Sequence, residues 1–360
     1  MSGFVLTIYI ILLVFAVIAW SKTKTLPFPN LSAESVSIIV PFRNEAKNLA
    51  KLLLALQRQA YDSPFEIILI NDHSSDEFQQ ELTPFLEQIP HLKLLSLDVT
   101  EGKKAAIAKG ISEAKFDLIL QTDADCVPSQ KWISTMTAQL AGDTAMVCGP
   151  TEIESDGKWS WFNQIETIML QVITAAGIYW DFPVMANGAN LLYHKKDYLK
   201  YQLSNHGQTY QSGDDQFLME FLSQQGKSIK YCKSRWAIVT TKFSNNWDEM
   251  IAQRARWAGK NKRNNGFKTV FNFFIALTQV YFLVLLLGVF YDQRYFWISL
   301  NFLLVKSLIE GLVVAFAASF FSFKQLNKIP LFAIYYPFFF LQIAIKVIHG
   351  NNNWKQRSIN

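Results

Sequence analysis

The sequence predicts an α/β domain held between membrane-spanning helices, and three observations carry that prediction. Short apolar runs alternate with helical patterns from Ser35 onward, and long uncharged segments lie toward both ends. Acidic residues recur in one order, Asp72, then Asp123 and Asp125, then Asp214 and Asp215, closed by Gln253, Arg256 and Trp257. The chain of 360 residues is 50% hydrophobic and 14% aromatic, which suits one large soluble domain plus membrane helices better than two water-soluble domains.

Phe4 to Trp20 is an uncharged run of about 17 residues, the short limit for a spanning helix. No cation precedes it and Lys22 and Lys24 follow it, the reverse of a secretory signal, so it reads as an anchor with its N-terminus outside. A cleaved signal ending near Ala16 or Ala19 is the alternative. Val270 to Tyr291, Tyr295 to Phe321 and Ile329 to Ile348 are each long enough to span. Lys324 and Lys328, with Lys260, Lys262, Arg263 and Lys268, place the soluble part in the cytoplasm, and a bacterial cytoplasmic membrane is the expected setting. One helix before and three after put the C-terminus outside, whereas Trp354, Lys355 and Arg357 read as a cytoplasmic anchor. An interfacial or re-entrant terminal segment would reconcile the two. The expected organisation is an anchor over 1–24, a soluble domain over 35–232, an interfacial segment over 233–269, helices over 270–348 and a polar tail over 349–360.

Cys126, Cys148 and Cys232 lack metal-ligand spacing, and cytoplasmic placement disfavours disulfides, so they read as core or site-lining thiols. The net charge of +5 is partly juxtamembrane and is assigned to anionic lipid and a phosphate-bearing substrate; no nucleic-acid motif is present.

Within the soluble part, apolar runs at Val36 to Val40, Glu66 to Ile70, Leu92 to Leu97 and Leu118 to Gln121 alternate with helical patterns at Ala46 to Gln59 and Lys103 to Ala114. That alternation predicts a parallel sheet with right-handed crossovers, whose ligands bind beyond the carboxyl ends of the strands. Pro41 to Glu45, Asn71 to Asp76 and Thr122 to Asp125 all fall at those ends, so three polar clusters distant in sequence converge on one edge.

Each cluster has chemistry to offer and a plainer structural reading beside it. Asp123-Ala124-Asp125 sets two carboxylates after an apolar strand, where one can hold Mg²⁺ or Mn²⁺ and the other can reach a ribose or a bridging water; a solvated turn gives the same string. Asn71 to Asp76 can cap a turn or hydrogen-bond a base and ribose, and His73 has no partner at ligand spacing. Gly102-Lys103-Lys104 puts cations and helix amides where an anion could sit, and a solvated helix start gives the same string. Gly213 allows close approach of Asp214 and Asp215 to a ligand, and a carboxylate beside an anionic neighbour should have its pKa raised toward that of a useful base; either could instead cap a helix. Gln253, Arg256 and Trp257, at i, i+3 and i+4, share a helix face able to grip a diphosphate and stack on a sugar, or to pack Trp257 against lipid headgroups. Lys306 and Glu310, four apart inside an apolar segment, are a functional pair or an internal pair holding the bundle together.

Taken together these motifs resemble the membrane-bound, inverting family 2 glycosyltransferases of the cellulose-synthase-like and hyaluronan-synthase-like arrangement, over roughly Val36 to Trp257. The resemblance implies a GT-A domain, a Rossmann-like mixed sheet that binds a nucleotide-diphosphate sugar, with a UDP-sugar as the favoured donor. Pro41-Phe42-Arg43-Asn44-Glu45 looks like the family's opening strand-end motif, which implicates Pro41, Arg43 and Glu45 in donor binding. Asp72 matches its base-binding aspartate, and Gly102-Lys103 resembles its nucleotide-contacting segment. Asp123 and Asp125 match the Asp-x-Asp that implies ribose or phosphate contact and metal binding. Asn187-Gly188-Ala189-Asn190 resembles the acceptor-side segment. Gly213-Asp214 stand where Thr-Glu usually appears, leaving the base role with Asp215 and placing Asp214 beside it in the catalytic motif. Gln253-Arg254-Ala255-Arg256-Trp257 fits Gln-x-x-Arg-Trp fully, implying donor contacts for Gln253 and Arg256 and an acceptor contact for Trp257.

The expected reaction is one in-line displacement at the anomeric carbon, with Asp215 taking the acceptor proton. A cation at Asp125 and the Arg256 guanidinium would stabilise the diphosphate, while Asp72 and Lys103 position the nucleotide. The expected acceptor is a lipid or lipid-linked glycan on the cytoplasmic face. A processive polysaccharide synthase and a non-catalytic nucleotide-binding scaffold are the alternatives.

Overall fold

The computed structural model describes residues 2–26, 34–140, 142–154, 157–204, 213–242, 246–259 and 266–349, and the backbone of 353–354 and 357–358. Ser212, Lys260, Lys262, Arg263 and the side chains of Trp354, Lys355 and Arg357 lie outside the described residues.

In chain order, α1 (Ser2–Lys22) is followed by β1 (Val36–Phe42), α2 (Ala46–Gln57), β2 (Phe65–Asn71), α3 (Phe78–Gln88), β3 (Leu92–Ser96), α4 (Lys103–Ser112) and β4 (Leu118–Gln121). Next come β5 (Cys126–Pro128), α5 (Trp132–Thr137), β6 (Thr144–Cys148), β7 (Thr151–Glu154), α6 (Ser160–Tyr179), β8 (Leu191–His194), α7 (Lys195–Leu203) and α8 (Asp214–Gln224). The chain continues through β9 (Ser228–Tyr231), β10 (Val239–Lys242), α9 (Trp247–Gly259), α10 (Phe267–Gly288), α11 (Arg294–Ala318) and α12 (Ile329–His349) to the short pair β11 (Asn353–Trp354) and β12 (Arg357–Ser358).

These elements form two compact units, one of 24–153 with 185–242, the other of 1–23 with 154–184 and 243–360. The expected soluble domain over 35–232 is thus interrupted: the stretch 154–184, with α6, joins the helical unit, because α6 buries apolar residues from Phe162 to Ile178 against helices including α1.

The first unit is built on a seven-stranded sheet in the order β3-β2-β1-β4-β8-β6-β9. Every residue of β1 is buried, as its continuous apolar run requires of a central strand covered on both faces. Helix α2 covers the sheet with Leu49, Leu52, Leu53 and Leu56, a stripe at i, i+3, i+4 and i+7. Helix α4 lies so close that a Cβ on Gly110 would stand 2.7 Å from Ile70 Cδ1 and 3.0 Å from Ile39 Cγ2, so glycine there sets the helix-to-sheet distance. The sequence predicts a parallel sheet, and β3, β2, β1 and β4 obey; β8 departs, running antiparallel to both β4 and β6. Its first residue, Leu191, pairs with Gln121 and Cys148, the last residues of β4 and β6. That reversal brings the lead-in to β8, Asn187 to Asn190, to the edge where the parallel strands end.

Among the described residues the second unit holds four helices long and apolar enough to cross a membrane, Gly3–Lys22, Lys268–Gly288, Arg294–Ala318 and Leu326–His349, together with α6 and α9. Lys306 and Glu310 are both buried and paired at 2.6 Å, and Tyr9 of α1 donates to Glu310 at 2.7 Å. Of the two readings of this pair, the contacts are those of a bundle-holding ion pair.

Candidate functional site

The loops after β1 and β2 are laced together before any ligand is considered. Ser74 Oγ accepts from the Asn44 amide at 2.9 Å, Asn44 Oδ1 accepts from Ser75 N at 2.8 Å, and Asn71 Oδ1 accepts from Ser74 N at 2.9 Å. Asp76 caps α2 by accepting from Ala46 N at 2.8 Å, so the helix-cap alternative for this cluster holds, though on a different helix from its own. Arg43 Nη1 donates to Asp72 O at 3.0 Å, and Glu45 accepts from Asn48 at 2.7 Å. Pro41 lies within β1 and is buried. Asp72 is itself buried, with His73 Nδ1 3.2 Å from its carboxylate. The lacing holds the Asp72 backbone at the edge between the two strands, where the N–H donates to Phe42 O at 2.8 Å.

The densest convergence is around Gly188. A Cβ there would stand 3.0 Å from Gln121 Nε2 and 3.4 Å from both Asp215 Oδ2 and Lys103 Nζ. Gly188 N donates to Asp215 Oδ2 at 2.9 Å, and Gly188 O accepts from Gln121 at 3.1 Å. Lys103 forms an ion pair with Asp123. Burial acts to lower the Lys103 pKa, but Asp123, Asp215 and Asp125 outweigh it and hold it above the usual lysine value. One cation thus sits among three carboxylates drawn from β4's exit and the start of α8. Asp123 and Asp125 are both half-buried, with Ala124 buried between them, so the motif is anchored by its middle residue and offers its carboxylates outward.

Among the described residues no cluster of three or more His, Cys, Asp or Glu side chains could by itself hold a metal ion. The donor set nonetheless suits Mg²⁺ or Mn²⁺, which take few protein carboxylates and complete their shell with phosphate oxygens and water. That a lysine ammonium is drawn into this spot indicates a field that favours positive charge.

Three of the expected site residues, Asp214, Asn190 and Asn187, have internal partners. Asp214 does not share the Asp215 environment: Tyr198 and Tyr201 donate to its two oxygens at 3.0 and 3.1 Å, and Lys104 lies at 3.6 Å. Burial is the main cause raising the Asp214 pKa, while burial and Asp214 itself raise those of both tyrosines, which therefore remain donors. At the first turn of α8, Asp214 is tied through these two tyrosines to α7. Asn190 is fully buried, with its amide nitrogen donating to Pro150 O and Ala237 O, both at 2.8 Å, and its oxygen accepting from Trp132 Nε1 at 2.8 Å. No N–H remains for an acceptor, so Asn190 is a structural strut. Asn187 bonds Thr151 Oγ1 at 3.1 Å and accepts from Ala189 N at 3.1 Å, shaping the turn that presents Gly188.

In the helical unit, Arg254 takes the contacts that the Gln253 and Trp257 side chains were expected to give to ligands. It is buried, pairs with Glu166 of α6 at 2.6 Å, donates to Gln253 Oε1 at 2.6 Å and lies 4.6 Å above the Trp257 ring. Trp257 therefore stacks on a guanidinium. Arg256 lies one residue away on α9, with its pKa lowered by burial.

Sequence reasoning missed Gln121, Tyr193, Tyr198, Tyr201, Glu166 and Arg254. Gln121 had one signal, a polar residue closing an otherwise apolar strand. The cysteines are free and buried, and burial pushes the Cys148 and Cys232 thiols up to about 12, as core thiols require.

A mixed sheet carrying acidic strand-end loops and a reversed strand that delivers a glycine turn to the same edge is a GT-A fold. A mannosyltransferase from Pyrobaculum calidifontis, solved in complex with GDP-Man and Mn2+, shares it with a TM-score of 0.60 over 96% of this chain and 95% of that one, at 14% identity. Residues 37–200 match the glycosyl transferase family 2 model. Among curated relatives, Glycosyltransferase AglE of Haloferax volcanii is 31% identical over 121 residues, 33% of this chain and 38% of that protein. A dolichyl-phosphate beta-glucosyltransferase of Trichomonas vaginalis is 32% identical over 115 residues, 29% of this chain and 34% of its own length. An undecaprenyl-phosphate 4-deoxy-4-formamido-L-arabinose transferase of Sodalis glossinidius is 27% identical over 146 residues, 40% of this chain and 44% of its own length. The chain thus spans less than half the length of these curated relatives. Asp215 and α9 lie beyond the family-matched stretch.

Proposed function

We propose that this protein is an inverting, membrane-bound glycosyltransferase that moves one sugar, or a few, from a nucleotide-diphosphate sugar to a lipid-phosphate or lipid-linked acceptor on the cytoplasmic face of a bacterial inner membrane. The observation that carries the reading is the meeting of Asp215, Lys103 and Gln121 around Gly188 at the ligand-binding edge of the sheet. The names of the dolichyl-phosphate and undecaprenyl-phosphate relatives support a lipid-phosphate acceptor.

In this reading Asp215, held by the Gly188 amide, takes the acceptor proton. Asp72, with the laced loops around it, orients the base and ribose, and Lys103 turns from Asp123 to the donor phosphates. Asp123 and Asp125 would hold a divalent cation, which when bound supplies charge stabilisation to the departing diphosphate. Arg256 is the residue to which the motif resemblance gives the diphosphate contact. A UDP-sugar is the donor the motif resemblance implies.

The test is product analysis. Membranes carrying the protein are incubated with radiolabelled UDP- and GDP-sugars and with dolichyl or undecaprenyl phosphate, in the presence of Mn²⁺. The proposal expects an organic-extractable lipid carrying one or a few sugars; a water-soluble ladder of polymer would instead identify a processive synthase, and no incorporation from any donor would support the scaffold reading.

A further inference from the structure

Gln121, the last residue of β4, is 2% exposed, an unusual place for a primary amide unless both its ends are paired. Both are. Gly188 O can only accept, so the amide nitrogen must face it, which leaves Oε1 for the Tyr193 hydroxyl at 2.8 Å. Tyr193, in β8, is fully buried and stacks on Tyr198 at 5.9 Å, so the amide cannot swing away. Thr122 adds a second strap, its hydroxyl donating to Ala189 O at 2.9 Å. The turn ahead of β8 is therefore gripped by two side chains from the end of β4. The grip is transmitted, because Gly188 N in turn donates to Asp215 Oδ2.

We propose that Gln121 is a positioning residue for the Asp215 carboxylate, acting through the backbone of Gly188. The proposal rests on the reading of Asp215 as the base. Gln121 touches neither donor nor acceptor in it; the amide fixes where the Gly188 N–H points, and that N–H fixes which way Asp215 faces. A hydrogen bond lost here misaligns the base without opening the nucleotide side of the site, so the effect falls on turnover rather than on donor affinity.

The experiment uses the full chain in detergent, with radiolabelled UDP-glucose and GDP-mannose, whichever the wild type turns over, and compares Gln121→Met, Gln121→Glu, Tyr193→Phe and Asp215→Asn. Gln121→Met keeps the shape and removes both bonds; Gln121→Glu keeps an acceptor for Tyr193 and, when ionised, removes the donor to Gly188. Both are expected to lower kcat about tenfold, roughly one hydrogen bond's worth of alignment, with donor KM within about twofold of wild type. Tyr193→Phe, which leaves the Gly188 bond in place, is expected to lose about threefold or less. Wild-type kcat in Gln121→Met overturns the proposal. Loss of donor binding in both Gln121 variants also overturns it, since that is the mark of an ordinary fold residue. If instead Asp215→Asn keeps wild-type kcat, the base reading itself fails and takes the positioning role with it.

Discussion

Asp214 and Asp215 are adjacent in sequence and opposite in environment. Asp214 turns into a nest of tyrosine hydroxyls, whereas Asp215 turns to the Gly188 amide and Lys103. Asp214→Ala should therefore cost about 2–3 kcal/mol of stability through two orphaned buried hydroxyls, while Asp214→Asn, which keeps an acceptor, should cost less. Thermal unfolding in detergent checks the order, and a harmless Asp214→Ala would contradict it. Motif order identified this acidic pair but could not divide its labour, because the division depends on Tyr198 and Tyr201, which carry no motif. A second residue-scale expectation concerns thiols. With pKa values pushed up to about 12 and no exposed surface, Cys148 and Cys232 should stay unmodified by N-ethylmaleimide at pH 8, where only about one thiol in ten thousand is ionised. Mass spectrometry should find them labelled only after denaturation.

The strands through β4, with α2 and α4 though not α3, were legible because each has an apolar run of the right period: β1, β2, β3 and β4 fall within about two residues of expectation. The antiparallel β8 was not, since strand direction is settled by which partners a segment meets, and periodicity is blind to that. Its direction matters, because a parallel β8 would have placed Gly188 at the far edge from Asp123. Helix α6 was missed for a related reason. Glu166 and Gln171 interrupt its apolar pattern, and their place is explained only by the partners around them, Arg254 foremost. Glu166→Ala leaves a buried guanidinium without its charge partner and should destabilise α9 by about 3–5 kcal/mol. Limited proteolysis near 243–259 measures this directly; unchanged cleavage would show that the ion pair is not what fixes α9.

Across the described residues, four helices are long and apolar enough to cross a membrane, and the sheet unit carries an acidic and cationic edge. The four spans were legible from length and hydropathy alone, and the bundle around Lys306 and Glu310 explains how two charges are tolerated among them. The protein should stay with the membrane after carbonate washing, and its release would contradict the spans. A nucleotide sugar together with Mn²⁺ should stabilise it, by about 2.7 kcal/mol at a hundredfold excess over Kd, and either alone should do much less. Equal stabilisation by nucleotide without cation would remove Asp123 and Asp125 from any metal-binding role.

The central claim is that Asp215 is the base of a sugar-transfer site assembled at the sheet edge. Asp215→Asn, assayed side by side for transfer of radiolabelled sugar and for nucleotide binding, tests it most directly. Transfer is expected to fall by about a thousandfold, within the usual contribution of a general base, with nucleotide affinity nearly unchanged. Wild-type turnover by this variant would contradict it.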